Sequence, residues 1–473
     1  MAATQESSEQ LQKGLRQRHM TMISLGGVIG AGLFVGSGAV MNQTGPAAIL
    51  SYLAAGLLVV LIMRMLGEMA VANPQVGSFM EYCRQALGPW AGFTVGWLYW
   101  SFWAIVLAVE AVAGAEILRN WLPGVPMWLM SLILMTALTG TNLWSVKSFG
   151  EFEFWFASIK VAAILVFILI GVGWLLGLGG GDSPGLSNLT AHGGFFPEGG
   201  VTVLSGIVVV IFAFVGAEIV TIAAAESAEP ERAVAKATNA VIYRVLVFYV
   251  LAVFIVVAIV PWNDTQLGNS PFVAALDRIG IPGAADIMNA IVVTAVLSCL
   301  NSGIYTGSRM LFALARRGDA PKSLLEVNRR GVPVRATLLT VSIGFLSVIL
   351  AAIWPESVFL WLVNSSGAVA LFCYVLIALA ELRMRRRLER EAPDKLTLRM
   401  WGFPWLTYLA IAGMVCVILA MGLVADVRAQ LWWSLGSLAI VLFAAWWRYR
   451  GEGVRGWSAE PKERAGTARS ARA

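Results

Sequence analysis

Between Met20 and Val40 the chain stays apolar for long enough to cross a bilayer, yet Gly fills six of the thirteen positions from Gly26 to Gly38. Each Gly inside a helix costs about 1 kcal/mol relative to Ala. A segment built only to span would carry Leu or Ala there. Two readings account for the glycines. Small residues four apart, Gly26/Gly30 and Gly32/Gly36, let neighbouring helices approach closely. Alternatively the helix breaks and bares its backbone amides, so that a ligand can come against them.

The rest of the chain bears on that choice. Hydrophobic residues make up 58% of it and charged residues only 13%, with a mean hydropathy of +0.75. A soluble domain carries about 25% charged residues, so this is the composition of an integral membrane protein with little soluble mass. Runs of spanning length lie at roughly 20–41, 46–70, 89–117, 125–145, 152–178, 199–224, 239–260, 283–313, 334–353, 356–380, 403–424 and 429–447. At about 20 apolar residues per span, they predict twelve spans. Residues 1–19 are polar and mixed in charge, which predicts a first span that is its own insertion signal.

Lys and Arg set the expected orientation. With a cytoplasmic N-terminus, the inner segments hold Lys13, Arg16, Arg18, Arg84, Lys147, Arg232, Lys236 and the clusters Arg316–Arg335 and Arg383–Arg399. The outer loops hold Arg119, Arg278 and Arg428, and the loop 177–200 has neither Lys nor Arg. This bias predicts that both termini are cytoplasmic. It also explains the net charge of +6 as topology rather than nucleic-acid binding. The four cysteines share no close spacing, so neither a disulfide framework nor a metal site is implied.

A second unusual span comes five spans after the first. It has Gly216 in its middle and a carboxylate, Glu218, two residues later. Paired interruptions at matching places in two halves point to a transporter with inverted repeats and a site near the membrane midplane. They favour ligand binding over packing for the first span.

Ionisable residues at membrane depth are costly and usually functional. Lys160 lies about 12 Å inside its span, counted from Phe152, which is far for a snorkelling side chain and suits a buried group that gains and loses a proton. Glu218 and Glu110 each read as a substrate-amine or proton site, or as structural carboxylates. Arg64, Glu68, Arg244 and Arg309 fall toward cytoplasmic ends, where anchoring or ion pairing is expected. Ser298, Asn301, Ser302 and Tyr305 form a polar stripe at helical spacing, as a pathway wall or as packing hydrogen bonds. Ser365 carries the same two readings. The aromatic cluster Trp97–Trp103 suits an interfacial belt, a lining or packing. His19 and His192 are expected in solvated flanks. Neither a phosphate-cradling loop nor a nucleophile–base set emerges, so no cofactor and no enzyme activity are expected, and transport would use an ion gradient or run downhill.

The stretches Gly27–Gly36, Arg64–Met69, Asn142–Trp155 and Arg316–Pro321 resemble the amino acid permeases of the amino acid–polyamine–organocation superfamily, over essentially all of the chain from Leu15 to Trp447. Gly216–Ser227 and Ser298–Ser302 are most similar to the γ-aminobutyrate permeases within it. The resemblance implies an all-α membrane protein of 12 transmembrane helices, a LeuT-like 5+5 inverted repeat plus two extra helices. The divisions would be a cytoplasmic tail (1–19), a first repeat (20–178), a second (199–380), two added helices (403–447) and a cytoplasmic tail (448–473). It implies proton symport of a small zwitterionic amino acid across the cytoplasmic membrane, with the substrate, a proton and the lipid bilayer as the partners. The amides of Gly30, Ala31 and Gly32 would hold the carboxylate and carbonyls near Phe212 and Gly216 the amine, and the proton of Lys160 would replace the sodium ion of sodium-coupled relatives. One departure is Gly32, where the family leads one to expect Ser. Exchange, another amino acid (proline, alanine, serine, glycine or an aromatic) and a non-transporting sensor are the alternatives.

Overall fold

The computed structural model describes residues 15–26, 29–34, 36–178, 183–227, 229–268, 270–353 and 368–450. Among them the chain is helical throughout, with one isolated backbone bridge, Leu15 to Ser227, in place of any strand. Among the described residues, eight helical stretches are long and apolar enough to cross a membrane. Thr202–Ala213 and Val334–Ile353 fall within two of the remaining apolar runs, and Val369–Glu391 overlaps the second part of the run 356–380, whose first part lies outside the described residues. Ser365 lies outside the described residues.

Both expected interruptions are present. Helix Gln17–Gly26 stops, Ile29 and Gly30 are not helical, and helix resumes at Ala31–Phe34 and Gly36–Thr44. Helix Thr202–Ala213 likewise gives way to a turn, Phe214 to Glu218, before Ile219–Ala223. In that turn Gly216 has φ +108°, a conformation strained for any residue with a Cβ.

Local chemistry moves several boundaries. Helix Val146–Leu175 begins six residues before the expected Phe152, because Ser145 caps it by accepting the Ser148 amide at 3.0 Å. Pro230, at the first helical position, starts the helical stretch that runs to Ile259, nine residues before the expected start at 239. Arg244 therefore sits midway along this helical stretch rather than close to its start. From Arg244 to Leu251 this stretch is wound as a π-helix. Two short amphipathic helices, Phe79–Leu87 and Pro271–Ile279, were not expected; nine residues are too few to stand out between long apolar runs.

Helix Pro89–Leu118 is the centre of the packing, with 67% of its apolar window buried, whereas Trp405–Leu423 and Val427–Tyr449 bury 28% and 17%. The last two helices are peripheral and turn Leu419, Leu423, Trp432, Ile440 and Phe443 outward. One close approach ties the first broken helix to the loop that follows Ile259. A Cβ on Gly38 would drive into the carbonyls of Leu267 and Gly268, the latter 2.6 Å away. Gly38→Ala is expected to lower the melting temperature in detergent by several degrees, since overpacking costs about 1–3 kcal/mol. An unchanged melting curve would show that this loop does not rest on the helix.

Candidate functional site

The two breaks face each other. A Cβ on Gly32 would sit 3.1 Å from the Ala213 Cβ and 3.2 Å from its Cα, so the resumed first helix meets the end of Thr202–Ala213 backbone to backbone. Gly30 faces Glu110 on helix Pro89–Leu118, where a methyl group would lie 3.8 Å from Oε1. Ala31 opens the resumed helix, and Phe212 is the residue before Ala213. Gly32 and Ala213 thus meet at one crossing, with Gly30 and Ala31 just before Gly32 in the chain, Phe212 just before Ala213, and Gly216 in the turn that follows.

Glu218 closes the second break. It is fully buried. Its Oε1 accepts from the Tyr99 hydroxyl at 2.7 Å and its Oε2 from the Tyr374 hydroxyl at 2.9 Å, and the Gly216 amide lies 3.2 Å from both. Its carbonyl accepts from the Thr221 hydroxyl at 2.7 Å. The Tyr249 hydroxyl donates to Ala213 O at 3.3 Å, satisfying a carbonyl at the end of the half-helix. A carboxylate so occupied mends frayed backbone, which is the structural reading of Glu218.

Lys160 does not snorkel. It is 1% exposed and lies fourteen residues, about 21 Å, beyond the start of its helix at Val146. Its ammonium donates to the Ser298 hydroxyl at 2.8 Å, and that hydroxyl donates to Glu153 Oε1 at 2.6 Å. Asn301 donates to Glu153 Oε2 at 3.3 Å, and Asn142 donates to Asn301 Oδ1 at 2.9 Å. Glu110 and Cys299 are within electrostatic range of Lys160. A hydrogen-bonded line therefore runs from Lys160 through Ser298 to Glu153, with Glu110 between the neighbourhood of Lys160 and that of Gly30. Glu153 was missed because its run, Glu151-Phe-Glu-Phe-Trp155, reads as a polar flank if the helix is started at Phe152; the Ser145 cap is the signal that would have placed it inside.

The polar stripe divides. Ser298 and Asn301 join Lys160, while the Ser302 hydroxyl is buried without a hydrogen-bond partner. Tyr305 belongs to a second cluster. Its hydroxyl donates to Glu226 Oε1 at 2.9 Å, its ring stacks on Phe149 at 4.0 Å, and Arg309, which pairs with Glu226 at 2.8 Å, lies 4.0 Å over the same ring. Leu15 N donates to Glu226 O at 3.3 Å. His19 is buried rather than solvated, because its ring lies against Glu151 at 3.2 Å and accepts from the Arg16 amide at 3.2 Å. These contacts strap the first helix to the end of the second break. Removing one partner of a buried ion pair costs about 3–5 kcal/mol, so Glu226→Gln is expected to lower the melting temperature in detergent clearly and to open this face to thiol reagents at a Cys introduced at Ser308. A variant as stable and as closed as the parent would remove the strap.

The remaining candidates are structural. Glu68 pairs with Arg385, and Arg64 donates to Arg399 O at 2.8 Å and to Asn239 at 2.9 Å, in line with ion pairing. Tyr99, Phe102 and Trp103 are buried and packed on one another rather than forming a belt. Among the described residues no group of three or more His, Cys, Asp or Glu is arranged to hold a metal.

Broken helices around a buried lysine define a polytopic membrane protein. The family model of the amino acid permeases matches residues 19–454, and the chain belongs to that family. It is 54% identical over 427 residues to the γ-aminobutyric acid permease of Bacillus subtilis, covering 90% of this chain and 91% of the relative. It is 50% identical to the γ-aminobutyric acid permease of Escherichia coli, over 86% of this chain and 88% of that one. An aromatic amino acid transport protein of Corynebacterium glutamicum is 42% identical, over 88% and 91%.

Proposed function

We propose that this protein is a proton-coupled importer of a small zwitterionic amino acid, γ-aminobutyrate or a close ω-amino acid, in the cytoplasmic membrane. The twelve apolar runs would form a five-plus-five inverted repeat with two added helices and both termini inside. The observation that carries the reading is the buried hydrogen-bonded line from Lys160 through Ser298 to Glu153, beside a first helix broken at Gly30. A lysine there can hold a proton while substrate occupies the crossing and release it as the two halves rock, since burial disfavours its charged form. The amides of Gly30, Ala31 and Gly32 suit the carboxylate, because helix N-termini favour anions. Carbonyls near Phe212 and Gly216 suit the amine. Glu218 holds the second break in shape.

Substrate choice leans on the two γ-aminobutyric acid permeases at 50–54% identity. Uptake of labelled γ-aminobutyrate into proteoliposomes with an imposed pH gradient tests the reading, with β-alanine, proline, alanine and lysine as competitors. The expected result is gradient-dependent accumulation blocked best by β-alanine. Uptake indifferent to the gradient would reject symport, and block by proline or alanine in place of β-alanine would reassign the substrate.

A further inference from the structure

Arg244 is the buried charge that the transport scheme leaves without a task. It is 1% exposed, sits midway along the stretch Pro230–Ile259, and has Nε and Nη2 buried without a hydrogen-bond acceptor. An intramembrane arginine left that way is costly and calls for an anion. The groups in its electrostatic range are Tyr249, Glu218 and Tyr374. Glu218 is the carboxylate among them, and each partner it has, the two tyrosine hydroxyls and the Gly216 amide, can donate to it. Those donors suit an ionised carboxylate, which at this depth would also need a counter-charge.

The winding of the chain supplies one. Arg244 opens the π-helical segment, and in a π-helix the repeat runs from i to i+5, a winding found mostly at functional sites. Arg244 and Tyr249 are five apart, so the π winding stacks them on one face, and Tyr249 is the residue that holds Ala213 O at the break. We propose that Arg244 is a positioning residue, the counter-charge of Glu218, which keeps the turn Phe214 to Glu218 in shape and takes the carboxylate directly when that turn rearranges during transport. The proposal rests on the permease reading only for its readout.

The test is a double-mutant cycle in proteoliposomes with Arg244→Gln, Glu218→Gln and the pair, beside Arg244→Lys. Initial uptake rate and the amount of monodisperse protein are both measured. Arg244→Gln is expected to lose at least about tenfold in rate, or most of its folded yield. Arg244→Lys, which keeps the charge, should recover most of what is lost. Glu218→Gln added to Arg244→Gln should restore the lost quantity, rate or yield, because it removes the charge left unpaired. Losses that multiply in the double variant, or an Arg244→Gln protein with parental rate and yield, would overturn the proposal. An inactive parent in the same vesicles would instead count against the transport reading.

Discussion

Replacing Lys160 with Ala is expected to leave a protein that equilibrates its substrate but cannot concentrate it. One pH unit is worth 1.36 kcal/mol per proton, so an inward gradient of two units lets a one-proton symporter accumulate substrate about 100-fold. Lys160→Ala should reach a ratio of about 1 in the same vesicles, with substrate exchange across them retained. The reasoning starts from the 2.8 Å contact to Ser298 and the 2.6 Å contact onward to Glu153. Alanine removes the proposed proton carrier and leaves Glu153 without the cation that faces it. Ser298→Ala, which removes only the bridge, should fall between the two. A Lys160→Ala protein that accumulates to the parental ratio would end the assignment.

Substitution of Gly32 should have the next largest effect, and for a packing reason. A Cβ there sits 3.2 Å from the Ala213 Cα, and that atom is backbone rather than the end of a flexible side chain. Making room means moving the end of the half-helix that shapes the second break. Overpacking of this kind costs about 1–3 kcal/mol, and about 1.4 kcal/mol is tenfold in affinity. Gly32→Ala is therefore expected to raise KM about tenfold, and Gly32→Val to abolish uptake while eluting as folded protein. Gly32→Ser meets the same backbone, so the hydroxyl it would add comes with a displaced Ala213. Parental kinetics in Gly32→Val would mean that the two broken helices do not meet here.

Much of this was legible in the residues. The glycines of the first segment and Gly216 with Glu218 located both breaks, because a break needs residues that tolerate the lost helix and a polar group to mend it. Lys160 announced itself by depth alone. Other features depended on where helices begin. Starting one helix at Phe152 hid Glu153, and starting another at 239 put Arg244 near an end; the Ser145 cap and Pro230 correct both. The partners of Glu218, two tyrosines 119 and 156 residues away in the chain, and the division of the Ser298–Tyr305 stripe between two clusters follow from tertiary packing, which no local pattern encodes. The burial of His19 belongs with them, since it depends on Glu151, 132 residues away.

The Ser298 hydroxyl has a consequence for direction. It accepts from Lys160 and has a single proton to give, which it gives to Glu153. Glu153 lies seven residues, about 10 Å, nearer the start of its helix than Lys160 does. Under the proposed symport, a proton leaving the lysine would have a wired exit toward the end of the helix at Val146. Such wiring would make the rate of import answer to the pH of the compartment on the Val146 side.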